Sequence, residues 1–110
     1  MKEEILLLYQ EPAIGASYTN TYGEENIRNL LSKYRSLDNA GMQQMMKMVV
    51  DFSQSTDLAT SFVSVGVLHA LGENEVVAEA YQWANTQEDA QRIISHFDIG
   101  KSVADYFSTP

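Results

Sequence analysis

The chain has 110 residues, 45% hydrophobic and 20% charged, a globular balance far from that of disordered chains and sized for one core rather than two. Fifteen acids against seven bases leave a net charge of −8, which excludes the electrostatic grip on phosphate that non-specific nucleic-acid binding needs. The absence of cysteine excludes disulfide staples, thiolate metal sites and cysteine nucleophiles.

Apolar spacing reads as helix along nearly the whole chain. Ile5, Leu6, Leu8 and Tyr9 form a first short helix that Pro12 stops. The apolar run at its centre follows two acids, a pattern unlike a secretory leader. No apolar stretch approaches the ~20 residues of a membrane span, so a soluble, cytoplasmic protein is expected. Residues 12–23 mix turn formers with the alternation Tyr18, Asn20, Tyr22 and read as a loop with a brief extended piece.

Glu24 and Glu25 open a second helix, where acids suit the positive end of the dipole, and Ile27, Leu30, Leu31 and Tyr34 form its face. Asp38 or Asn39 caps a third, with Met42, Met45, Met46, Val49 and Phe52 along the core side and Met48 pointing away. A fourth begins at Ser55 or Thr56 and is apolar nearly all round from Leu58 to Leu71, the pattern of a buried element, with Gly72 as its stop. Asn74 caps a fifth reaching about Ala84. Thr86 to Asp89 resembles a capping box for a sixth, faced by Ala90, Ile93, Ile94 and Phe97, and a last helix starts near Gly100 with Val103, Tyr106 and Phe107. The expected fold is therefore all-α, one domain over residues 1–110. Its architecture is an irregular bundle or a short superhelical stack of six to seven short antiparallel helices. Residues 57–97, three helices joined by turns of two to four residues, are similar in outline to helical-repeat solenoids of the HEAT type, without a fixed period or signature motif.

No catalytic pattern emerges. His69 and His96 stand 27 residues apart with no HExxH or Glu-x-x-His around them, and no glycine-rich phosphate loop precedes a Lys-Ser/Thr. Each carboxylate pair, such as Glu24/Glu25 or Glu73/Glu75, lies at a predicted helix start, where capping accounts for it. Neither a cofactor nor a metal is expected.

Charge carries the functional signal. From Met48 to Gln91 the chain runs 44 residues with no Lys or Arg and seven acids, so the halves of the sequence carry −2 and −6. Such a block repels phosphate and anionic lipid and speeds encounter with a basic protein. Trp83 sits at the edge of the fifth helix's apolar stripe beside Glu79, the composition of an anchor for a basic, partly apolar partner. The expected role is a non-enzymatic acidic binding module, an inhibitor or immunity-type protein covering the basic active site of a toxin or nuclease. Glu73, Glu75, Glu79, Trp83, Glu88 and Asp89 are its expected contact residues. Two alternatives are a helical-repeat-like adaptor or homo-oligomer, and an enzyme with its site near His69, His96 or the 12–23 loop with Tyr18 and Tyr22.

Overall fold

A computed structural model describes residues 1–108 and has six α-helices and one 3₁₀ turn among them, with no strand. Helix α1 (Lys2–Gln10) is short but tightly held, because Ile5 and Tyr9, four residues apart, both turn inward. It ends where Glu11 takes an extended conformation, as a residue before proline must. The Tyr9 hydroxyl reaches Ser64 at 2.6 Å, and the ring meets Phe52 edge-on at 5.1 Å.

The 12–23 segment contains a 3₁₀ turn (Tyr18–Asn20) where the alternation predicts an extended piece. Two buried amides account for the difference. Asn20 Nδ2 donates to Asn26 Oδ1 at 2.9 Å and to the carbonyls of Pro12 and Ala13, while its Oδ1 accepts from the Glu25 N–H. Asn26 Nδ2 in turn donates to the carbonyls of Leu8 and Pro12, both at 3.0 Å. The loop is thus folded onto the end of α1 and the start of the next helix by side-chain bonds that take the place of a ladder.

Helix α2 (Glu24–Ser36) follows Gly23, whose φ of +76° is a left-handed conformation suited to glycine. Helix α3 (Asn39–Phe52) is capped by Asp38, which accepts from the Gly41 N–H at 2.8 Å. Met45 and Val49 are buried in it, and Met48, expected to point away, is half-buried against the core.

Helix α4 (Leu58–Ala70) is the centre. Asp57 caps it through the Thr60 N–H, one or two residues beyond the expected start, and every residue from Ser61 to Leu68 is buried. It packs on α2, on α3 and on the two helices that follow, an arrangement of a bundle around one central helix rather than a stack in which each helix meets only its neighbours. Gly72, at φ +77°, ends it as expected, with the Glu73 N–H bonded to the Leu68 carbonyl and the Gly72 N–H to that of His69, the two bonds of a Schellman motif. Helix α5 (Asn74–Asn85) buries Val77, Ala80 and Ala84; Asn74 is its first residue and Glu73 its cap position, without a side-chain cap bond.

The last two expected helices are one, α6 (Ala90–Ser108). Thr86 donates to the Trp83 carbonyl and so finishes α5 instead of starting α6. Gly100 does not break α6 because it lies where that helix crosses α4. A Cβ there would stand 2.5 Å from the Phe62 carbonyl oxygen, and one on Gly66 would stand 2.9 Å from the Gly100 carbonyl oxygen. Among the described residues no helix is long and apolar enough to cross a membrane.

Candidate functional site

Helix α5 buries a narrow stripe of small and branched residues and leaves the rest of its circumference to solvent. Glu75, Glu79 and Trp83 follow at four-residue intervals, so they form one row along its outer side. Both glutamates are exposed, while Trp83 is half-buried against the core with one edge to solvent. Beyond it the chain turns through Glu88 and Asp89 into α6. Trp83, Gln87, Glu88, Asp89, Thr56 and Ile93 line a shallow depression of about 280 Å³. The structure therefore brings five of the six expected contact residues onto one connected strip, with the indole at the boundary between the two acidic ends.

Glu73 is set apart from them by burial. It lies at the start of α5, two residues before Glu75, half-buried, in a depression shared with Tyr34, Met42, Met46 and Lys47.

The strip is poorly neutralised. Among the described residues the ion pairs are Lys33 with Glu4 at 2.6 Å, His69 with Asp105 at 2.7 Å, and Arg92 with Asp89 at 3.8 Å. Glu75, Glu79 and Glu88 have none. Glu75 gains from the helix dipole at the start of α5. Glu79 lies mid-helix four residues from a like charge, a spacing that costs an isolated helix ~0.2–0.5 kcal/mol.

The two histidines are engaged separately. His69 Nε2 bonds Asp105 where the end of α4 meets α6, and His96 Nδ1 donates to the Arg92 carbonyl at 2.8 Å with its ring 5.8 Å from that of Phe62. Of the loop tyrosines, Tyr18 is 92% exposed and Tyr22 lines a groove of about 480 Å³ between the start of α2 and the second half of α6. The groove is otherwise walled by Glu24, Asp98, Ile99, Ser102, Val103 and Tyr106, and neither histidine reaches it. Sequence reasoning named Tyr22 but missed Tyr106 and Asp98, because they sit on a helix that appeared to break at Gly100. Among the described residues no three His, Asp or Glu side chains converge as metal ligands.

No family model, curated protein or solved structure matches this chain.

Proposed function

We propose that this chain is a small acidic binding module whose partner is a basic protein, met through the strip of Glu75, Glu79, Trp83, Glu88 and Asp89. The observation that carries this reading is that Glu75, Glu79 and Glu88 stand without ion pairs to any described residue, flanking a partly exposed indole. Glutamates four residues apart on a helix lie ~5–6 Å from each other, within the ~8–10 Å screening length of ordinary salt, so their potentials add. A cationic surface is drawn to such a row, and the indole supplies the apolar anchor that makes an encounter specific.

The finer reading is an inhibitor of the immunity type. A nuclease must present Lys and Arg to its substrate's phosphates, and an acidic helix opposes that surface with the same sign of charge as the substrate. The size and acidity of the chain fit such a plug.

The test is affinity capture from the native lysate at low salt, run side by side with wild type and the double reversal Glu75→Lys/Glu79→Lys. Both positions are exposed, so the variant is expected to fold with a stability change within ~0.5 kcal/mol per site. The expected result is one stoichiometric basic protein that wild type holds, salt releases and the variant fails to hold. Retention by the variant would contradict the proposal.

A further inference from the structure

The groove between the start of α2 and the second half of α6 has features that the Trp83 strip lacks. Two of the most exposed large side chains of the molecule face it, Tyr22 at 47% and Tyr106 at 80% exposure. Ile99 and Val103 give it an apolar wall, and its volume of about 480 Å³ falls within the ~300–1,000 Å³ of ligand-holding clefts. Tyrosines supply large rigid contact area at little entropic cost, which suits two of them beside one apolar wall to anchor a partner.

Its charge is of one sign. Glu24 and Asp98 line it, and no Lys or Arg does. Of the cations on these helices, Arg28 lies over the Phe107 ring at 4.7 Å, and Lys101 lies over the ring of Tyr81, whose hydroxyl bonds Asp98, at 5.3 Å; neither lines the groove. Both carboxylates are held in position. Glu24 Oε1 accepts from the Tyr22 N–H at 3.0 Å, and Asp98 Oδ1 accepts from the Tyr81 hydroxyl at 2.6 Å. The exposed Asp98 keeps its second oxygen for another donor, and Glu24 Oε2 is buried with no hydrogen-bond partner among the described residues. Two fixed carboxylates beside two aromatic faces reject an anion. A purely apolar occupant would cover the carboxylates without supplying the donors that burial demands. A guanidinium or ammonium group supplies them and is attracted to the tyrosine faces as well.

We propose that this groove is a second contact surface of the molecule, which takes an arginine or lysine side chain carried next to an apolar residue on a protein partner. The proposal rests on the reading of the chain as a binder of basic proteins and adds to it a site of defined chemistry, separate from the α5 strip. Charge brings the partner to α5, and the groove reads one of its side chains.

The test is a titration of the ¹⁵N-labelled full chain, followed by amide chemical shifts, with three acetylated and amidated tripeptides: Leu-Arg-Leu, Leu-Gln-Leu and Arg-Gly-Arg. Leu-Arg-Leu is expected to give saturable shifts centred on Tyr22, Glu24, Asp98 and Tyr106, and the other two are expected to bind there at least fivefold more weakly. Tyr106→Ala, which removes an exposed ring, and Asp98→Asn, which keeps an acceptor for Tyr81, are each expected to weaken Leu-Arg-Leu by a similar factor, whereas Glu75→Lys/Glu79→Lys leaves it unchanged. Shifts that follow Arg-Gly-Arg equally and map to α5 would overturn the groove while leaving the acidic-strip reading intact. Absence of saturable shifts at the groove with all three peptides would also overturn it. The capture experiment above fails or succeeds on the α5 reversal, so the two readings are separated.

Discussion

Asn20 and Asn26 show how much structure two polar side chains can organise when they are fully buried. Between them they satisfy the carbonyls of Leu8 and Pro12 where α1 gives way to the loop, and they add a second bond to that of Ala13, which also accepts from the Ala16 N–H. Asn26→Ala removes the donor to the Leu8 carbonyl and one of the two donors to that of Pro12, and it deletes the nearest acceptor of the Asn20 amide. Each orphaned buried group costs ~1–3 kcal/mol, so a loss of about 3 kcal/mol is expected in urea unfolding. A loss within the ~0.5 kcal/mol of a surface substitution would show that the latch is not structural. Tyr9 offers a second residue-scale prediction. Burial pushes its phenol above the ordinary value, with the bond to Ser64 opposing in part. A raised folded-state pKa means that the folded chain holds the proton longer than the unfolded chain. The stability it contributes is therefore complete below about pH 10 and is lost as pH rises beyond that. Unfolding free energy is expected to fall as pH rises from about pH 10 toward the raised folded-state value, and to fall less in Tyr9→Phe; equal slopes would contradict the assignment. Tyr81, raised by burial and by its bond to Asp98, leaves a remaining slope in that variant.

At the scale of elements, helices whose apolar periodicity is strong were legible: α2, α3, α4 and α5 lie within a few residues of where spacing and caps place them. What escaped depended on contacts distant in sequence. The Asn20 to Asn26 latch bends a loop whose alternation reads as extended, and no local pattern distinguishes a buried asparagine from an exposed one. Gly100 reads as a break because glycine is a poor helix former, yet here it allows α6 to cross α4 at backbone distance. The sign of a substitution tests this. In an exposed helix interior, glycine to alanine stabilises by about 1 kcal/mol. At Gly100 the added methyl would meet the Phe62 carbonyl at 2.5 Å, so Gly100→Ala is expected to destabilise by ~1–3 kcal/mol and to lower the thermal midpoint by several degrees. A raised midpoint would mean that the two helices are not in backbone contact.

At the scale of the whole molecule, the fold class was legible in the sequence, and the proposed contact surface only in part. The acid-rich run pointed to α5, and the structure gathers Glu75, Glu79, Trp83, Glu88 and Asp89 there, because four-residue spacing on a helix and a short following turn are both local features. Glu73, one residue before the helix start, lies half-buried beside α3, a placement that depends on the turn and not on local spacing. The groove of Tyr22 and Tyr106 was out of reach, as it joins residues 84 positions apart whose proximity exists only once α6 is continuous. The molecule thus has an acidic strip on α5 and an aromatic, carboxylate-lined groove between α2 and α6, both suited in charge to the same class of partner. The most direct measurement of the central claim is the association rate constant with the captured partner as a function of ionic strength, for wild type and for Glu75→Lys/Glu79→Lys. A rate that falls steeply with salt in wild type, and is lower and flatter in the variant, is the expected result. A wild-type rate indifferent to salt, or identical in the two proteins, would contradict recognition through the acidic strip.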